Sequence, residues 1–130
     1  MDESVTPATT KRKVLFVEDE HFIEALYKRA LEKGGYEVTS VVDGIQALAA
    51  AKTNLYDIIL LDLMVPNLTG NEILRQLRED VPDLKAKIII TTNLEQKEAT
   101  RNDIEKRADG YIIKAEMTPK QMVELLDRIR

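Results

Sequence analysis

Cysteine and tryptophan are both missing from the 130 residues. Without cysteine there are no disulfide frameworks, no thiolate zinc sites and no cysteine nucleophile, and a reducing compartment fits. No apolar run approaches the ~18 residues that span a bilayer, and the N-terminus lacks the apolar stretch of a signal peptide. A cytoplasmic protein without membrane insertion is therefore expected. An excess of positive charge is missing too: 19 Lys and Arg stand against 23 Asp and Glu, a net charge of −4. That balance argues against a surface built to neutralise phosphate backbones, so direct nucleic-acid binding is not expected. Two phenylalanines and no tryptophan also offer little for a sugar cleft. Histidine occurs once, as His21. Two residues after Asp19, it reads as a solvent-facing helix residue rather than a phosphocarrier.

What is present is an ordinary globular balance, 44% apolar and 32% charged, enough for one domain with a real core. Residues 1–11 are polar, carry Pro7 and three threonines, and read as a disordered N-terminal arm; residues 12–130 form the domain. The basic run Lys11 to Lys13 reads as solvated. From Val14 onward, short β-rich runs alternate with helical periodicities, the pattern of an α/β domain with a doubly wound parallel sheet. The strands are expected at Lys13–Val17, Tyr36–Val41, Asp57–Leu61, Lys87–Thr91 and Gly110–Ile113. The first, third and fourth are nearly all apolar, as central strands covered on both faces are. The second alternates and reads as an edge.

Thr69-Gly-Asn-Glu72 and Thr118-Pro-Lys-Gln121 read as capping boxes, and Asn93-Leu-Glu-Gln96 as a looser relative. Met122, Leu125, Leu126 and Ile129 share one face of the last helix. Glu95–Arg107 has only Ala99 and Ile104 as apolar residues, so it is expected to be a thinly packed, mobile helix. Asp43-Gly44 reads as a turn or cap. Asn67-Leu-Thr69 matches a glycosylation acceptor, which in a cytoplasmic chain is chance. The last helix closes the chain, so a stand-alone domain without an attached effector is the expectation.

In an open parallel sheet, the loops after the strand C-termini line one crevice. The first strand is followed by Glu18, Asp19 and Glu20, the third by Asp62, the fourth by Thr91, Thr92 and Asn93, and the fifth by Lys114. Asp62 interrupts Ile58-Ile-Leu-Leu61 and Leu63-Met-Val65, where a charge is out of place unless it caps a helix or makes a turn. Like charges ~4 Å apart repel by roughly 4 kcal/mol at an effective dielectric near 20. A positive partner is therefore needed: Mg²⁺ suits a carboxylate cluster, and Lys114 adds a second positive charge. The set suits a carboxylate nucleophile that attacks a phosphoryl donor and becomes an aspartyl phosphate. A small metal-dependent phosphohydrolase would also use Asp62 as nucleophile. Position 64, a methionine, does not supply the second acid such enzymes need.

The motifs Val-Leu-Phe-Val-Glu18-Asp19-Glu, Ile-Leu-Leu-Asp62-Leu-Met-Val-Pro66, Ile-Ile-Ile-Thr91-Thr92-Asn and Gly110-Tyr111-Ile-Ile-Lys114 resemble those of the receiver domains of two-component response regulators. The separations of 43, 30 and 22 residues from Asp19 to Asp62, Thr92 and Lys114 in turn are typical of that family. The resemblance implies a flavodoxin-like fold with strand order 2-1-3-4-5. It makes Asp62 the phosphoacceptor, with Mg²⁺ held by Asp19, Asp62 and the Met64 carbonyl, and by Glu18 through water. Lys114 and Thr92 would contact the phosphoryl group. Thr92 and Tyr111 would act as the switch, reshaping the face made by the fourth helix, fifth strand and fifth helix. Of the two threonines, spacing within the family selects Thr92, which leaves Thr91 as a β-propensity residue pointing elsewhere.

The implied partners are a sensor histidine kinase or histidine phosphotransfer protein, a downstream protein target, and a second copy through that same face. A receiver-like scaffold that is never phosphorylated is the alternative. The chain departs from the family pattern at Ala115, where proline is usual. A cis bond before a non-proline residue costs roughly 2.5–4 kcal/mol, which favours trans. Asn93 also departs, standing where a small residue is usual. Met64 and Leu94 would flank the path of a hydrolytic water, and neither can orient it, so slow self-dephosphorylation is expected.

Overall fold

A computed structural model describes residues 11–93 and 98–129; residues 1–10 of the arm expected at 1–11, and residues 94–96 of the looser cap expected at 93–96, lie outside the described residues. Five β-rich runs form one parallel sheet: β1 (Lys13–Val17), β2 (Glu37–Val41), β3 (Ile58–Asp62), β4 (Lys87–Thr92) and β5 (Gly110–Ile113). The strand order is β2-β1-β3-β4-β5, as the resemblance implied. Between them run α1 (His21–Lys33), α2 (Gly44–Lys52), α3 (Gly70–Asp80) and α4 (Glu98–Arg107), and α5 (Pro119–Asp127) closes the domain. His21 is the exposed first residue of α1.

Four strand boundaries, in three strands, differ by one residue from the sequence expectation. Tyr36 lies before β2, because its N–H is bonded to the Leu31 carbonyl at 3.0 Å and completes the turn out of α1. Asp57 lies before β3 and brackets Lys13: its N–H donates to the Lys13 carbonyl at 2.8 Å, and its carboxylate accepts the Lys13 N–H at 2.7 Å. At the other end, β3 keeps Asp62 and β4 keeps Thr92 within the ladder, where Asp62 is paired with Thr91 and Thr92 with Ile113.

Side chains alternate across a strand, and each face of this sheet carries its own core. Leu15, Val17, Ile59, Leu61, Ile88 and Ile90 pack with Ala47 and Ala51 of α2, Ile73, Leu74 and Leu77 of α3, and Ile104 of α4. Val14, Phe16, Ile58, Leu60, Ile89 and Ile112 pack with Tyr27 and Leu31 of α1 and with Met122 and Leu126 of α5. Leu125 and Ile129 complete the expected α5 face as partly buried residues. Each fully buried Leu or Ile contributes about 1.5–3 kcal/mol.

Three helices, α2, α3 and α5, begin where the sequence signals them. Asp43 caps α2 through the Gln46 N–H, and Thr118 and Gln121 form a complete capping box on α5. Thr69 caps α3 through the Glu72 N–H, but the reciprocal half is absent, because the Glu72 carboxylate bonds Arg75 instead. Two glycines let the loops close. A Cβ at Gly44 would lie 2.0 Å from the Leu68 carbonyl oxygen, and one at Gly70 would lie 2.4 Å from the Asp62 carbonyl oxygen. Asn67 adopts φ 73° between β3 and α3, the left-handed turn that asparagine tolerates. Its place in an acceptor-like tripeptide is thus explained by the turn.

Long-range polar contacts fasten the far ends of the elements. The Arg12 guanidinium donates to the carbonyls of Leu126 at 3.4 Å and Ile129 at 2.7 Å, satisfying acceptors that the end of α5 leaves open. Arg78 of α3 donates to the carbonyl of Arg107, the last residue of α4, at 2.8 Å, and pairs with Asp109 at 3.2 Å. Asp109 in turn accepts the Ile88 N–H of β4 at 2.8 Å.

One buried group carries a cost. Thr91 is 1% exposed, and its hydroxyl has no hydrogen-bond partner among the described residues. A buried, unsatisfied polar group costs about 1–3 kcal/mol. Thr91→Val keeps the branched shape the strand prefers and removes that cost. It is expected to raise stability by about 1 kcal/mol, measured as a higher urea midpoint at unchanged slope.

Candidate functional site

The parallel register carries side chains of one face along the same rank. Phe16, Leu60 and Ile89 are aligned and lie in the core under α1 and α5. Two residues on, Asp62 is aligned with Thr91 and Thr91 with Ile112. Glu18 follows Val17, the partner of Leu61, and so falls on the rank of Asp62. Acids from β1 and β3 thereby become neighbours although 44 residues separate them. Asp19 stands one residue further on, at the exposed rim.

Glu18 and Asp62 are only 1% and 5% exposed. With Asp19 they offer carboxylate oxygens that all lie within 4.8 Å of one another. Lys114 answers this charge from two strands away. It follows β5 as the first residue of a 3₁₀ turn, Lys114–Glu116, and its side chain is 9% exposed. Its Nζ donates to Glu18 Oε1 at 2.5 Å and to Asp62 Oδ2 at 2.7 Å. The remaining oxygens are held by backbone: the Glu20 N–H donates to Glu18 Oε2 at 3.1 Å, and the Met64 N–H donates to Asp62 Oδ1 at 3.0 Å. The described peptide bonds are all trans, and Lys114 reaches both acids. Its turn is closed by the Met117 N–H on the Lys114 carbonyl at 3.2 Å and tied to α1 by the Tyr27 hydroxyl, which donates to the Met117 carbonyl at 2.7 Å.

Glu18, Asp19, Glu20, Asp62, Met64, Asn93 and Lys114 line a cleft of about 280 Å³. That is at the small end for ligand pockets, which run from roughly 300 to 1,000 Å³, and it suits a small oxyanion rather than a sugar chain. Met64 is 57% exposed at its mouth.

The charges perturb one another. Burial pushes the Glu18 carboxyl above its ordinary range; the Lys114 hydrogen bond and charge pull it back in part, and the charge of Asp62 adds to the rise. For Lys114, burial alone would depress the ammonium, but the hydrogen bonds and charges of Asp62 and Glu18 outweigh it, and the net shift is upward. Lys114 therefore stays charged through neutral pH, and its stabilising contribution disappears only at pH values above its ordinary 10.5.

Of the residues singled out from the sequence, the structure brings Glu18, Asp19, Asp62, Met64 and Lys114 to one cleft. Thr92 is fully buried at the end of β4, on the other face of the sheet from Thr91. Tyr111 is half-buried on that same second face, packed against the α2–α4 core, and the Arg101 guanidinium sits 4.5 Å from its ring centroid. Leu94 lies outside the described residues. Sequence reasoning missed Tyr27 as the support of the Lys114 turn and Arg101 as the cover of Tyr111. Neither carries a local signal, because each acts across elements far apart in the chain.

The raised Glu18 fixes the sign of a pH effect. An acid whose folded value exceeds its unfolded value binds more protons when folded, so it lowers stability as pH rises above its ordinary 4.5. In chelator, the wild-type chain is expected to lose stability relative to Glu18→Gln as pH is raised from 4.5 towards neutrality. Parallel curves in urea unfolding at a series of pH values would contradict this.

Comparison with known proteins places this cleft in a family. Residues 14–127 match the family described as response regulator receiver domain. The response regulator ArlR of Staphylococcus saprophyticus is 40% identical over 118 residues, 91% of this chain and 50% of that protein. The transcriptional regulatory protein ResD of Bacillus subtilis is 37% identical over 116 residues, 88% of this chain and 46% of its own. The chain thus spans about half the length of these two regulators. Among solved structures, the chemotaxis protein CheY4 of Vibrio cholerae superposes with a TM-score of 0.79 at 28% identity, covering 93% of this chain and all of that one. A CheY-like receiver domain from Methanospirillum hungatei JF-1 gives 0.79 at 26% identity, covering 91% and 92%. The match runs from the first strand into the last helix and takes in every acid of the cleft together with Lys114: the chain belongs to the response regulator receiver domains of two-component signalling.

Proposed function

We propose that this domain accepts a phosphoryl group on Asp62, in a Mg²⁺-dependent reaction, from a histidine kinase or histidine phosphotransfer protein. The observation that carries the reading is the Lys114 ammonium bridging Glu18 and Asp62 at the cleft. It supports a buried carboxylate poised beside a cation that can follow negative charge onto a phosphoryl oxygen. Asp62 attacks phosphorus; the new O–P bond forms as the donor's P–N bond breaks, and the electron pair stays on the imidazole nitrogen. The Met64 N–H holds one Asp62 oxygen and so orients the carboxylate for attack.

The donor set fits a hard dication. It offers three carboxylates against one ammonium, and Asp19 has no hydrogen-bond or ion-pair partner among the described residues. Asp19, Asp62 and the Met64 carbonyl would hold Mg²⁺, with Glu18 acting through water. Once bound, the ion supplies positive charge against the phosphoryl oxygens. Thr92 contacts the phosphoryl group in this reading. Tyr111 and Thr92 relay its presence to the α4–β5–α5 face, where a downstream protein or a second copy docks. A signalling role with limited self-catalysis, in the cytoplasm, agrees with the family. No helix among the described residues is long and apolar enough to cross a membrane.

Acetyl phosphate with Mg²⁺ is expected to add one phosphoryl group by intact mass. Asp62→Asn or chelator should abolish the gain. Mg²⁺ alone, at about 100 times its Kd, should stabilise the fold by about 2.7 kcal/mol, and Asp19→Asn should remove most of that. An unmodified wild-type chain would overturn the reading. Because Met64 and Leu94 cannot hydrogen-bond a hydrolytic water, the phosphorylated chain should lose its label more slowly than the double variant Met64→Asn, Leu94→Glu, followed by phosphate release.

A further inference from the structure

Four polar or charged side chains are buried among the described residues: Glu18, Asp62, Thr91 and Thr92. All four stand at the C-terminal end of the sheet, and the proposed chemistry uses every one except Thr91. That residue occupies the rank and the face of Asp62, on the neighbouring strand, about 4.8 Å away across the sheet. The Lys114 side chain starts beyond β5 and ends on the acids of β3 and β1, so it spans the end of β4. Thr91 is the β4 residue level with Asp62 on the face where those acids lie.

Two unmet hydrogen-bonding needs occur at this end of the sheet. The ammonium has three N–H donors; two go to Glu18 and Asp62, and the third has no acceptor among the described residues. The Thr91 hydroxyl, buried at the same end of the sheet and level with Asp62, has no partner among the described residues either. Buried polar groups in native proteins are rarely left so, and each such case calls for an explanation. One χ1 step moves a threonine hydroxyl between staggered positions.

We propose that Thr91 is a positioning residue for Lys114: its hydroxyl accepts an N–H of the ammonium when Lys114 moves from the Asp62 carboxylate to the incoming phosphoryl group. This inference rests on the phosphoacceptor reading of Asp62. As Asp62 becomes an acyl phosphate, its carboxylate charge is lost and Lys114 gives up one of its two acceptors. Thr91 replaces that acceptor from below the cleft and keeps the ammonium aimed outward instead of letting it fall back on Glu18. Thr91 makes no covalent bond and transfers no proton. The cost of its unpartnered hydroxyl in the resting state is recovered during transfer.

The test compares the full chain with Thr91→Val, which keeps shape and loses the hydroxyl, and Thr91→Ser, which does the reverse. Phosphorylation by acetyl phosphate at fixed Mg²⁺ is expected to slow about tenfold in the valine variant, the rate equivalent of one hydrogen bond, and to stay near wild type in the serine variant. Stability should move in the opposite sense, with valine the more stable, so weakened folding cannot explain the loss. In the beryllofluoride complex, the Lys114 ammonium proton resonance should coincide in wild type and the serine variant and be displaced in the valine variant. A valine variant that reacts at the wild-type rate, or a serine variant as slow as valine, overturns the role of Thr91 while leaving Asp62 as acceptor. A wild-type chain that takes no phosphoryl group overturns both.

Discussion

Everything in the cleft is organised by one ammonium placed between two buried carboxylates. Burying charge is expensive, and removing one partner of a buried pair leaves the other uncompensated, at a typical cost of about 3–5 kcal/mol. Lys114 therefore makes it tolerable for Glu18 and Asp62 to be carried inside the end of a sheet whose central strands are mostly aliphatic. The pairing also leaves the site short of positive charge, since Asp19 at the rim adds a third acid. A fold that keeps such a deficit at its surface is compatible with a cationic ligand. That is the physical link between the packing of the sheet and the family's signalling role.

The surrounding architecture serves that contact. Parallel register sets Glu18 beside Asp62 without help from sequence proximity. The α3 N-terminus folds back over the end of β3 because Gly70 has no side chain to strike the Asp62 carbonyl, and Asn67 turns the chain into it. On the far side, Tyr27 of α1 holds the turn that launches Lys114. The site is thus supported by elements from both layers, and its geometry depends on the sandwich being closed.

Much of this was legible from the residues alone. The aliphatic runs marked the central strands, and the interruption of one by Asp62 marked the acid, because a charge there has no packing reason to exist. Capping threonines located the starts of α3 and α5. What could not be read were contacts made by side chains that look ordinary in their own segment. Tyr27 is one apolar position in an amphipathic helix, and Arg101 one charge in a polar one. Thr91 resembled a plain β-former until the register put it on the rank of Asp62. The half-formed cap at Thr69 shows the same limit, since Glu72 had two acceptable partners and only the folded arrangement chose Arg75.

The fastening at the end of α4 has a mechanical consequence. Arg78 grips the last carbonyl of that helix, and Asp109, two residues beyond it, is bound to the backbone of β4. With its exit secured to α3 and the sheet, α4 is anchored at Arg107. A displacement of its start would turn the helix about that anchor and move its outer surface most at the end farthest from it. In the proposed switch, a shift of Tyr111 would reach another molecule as a change of contour there.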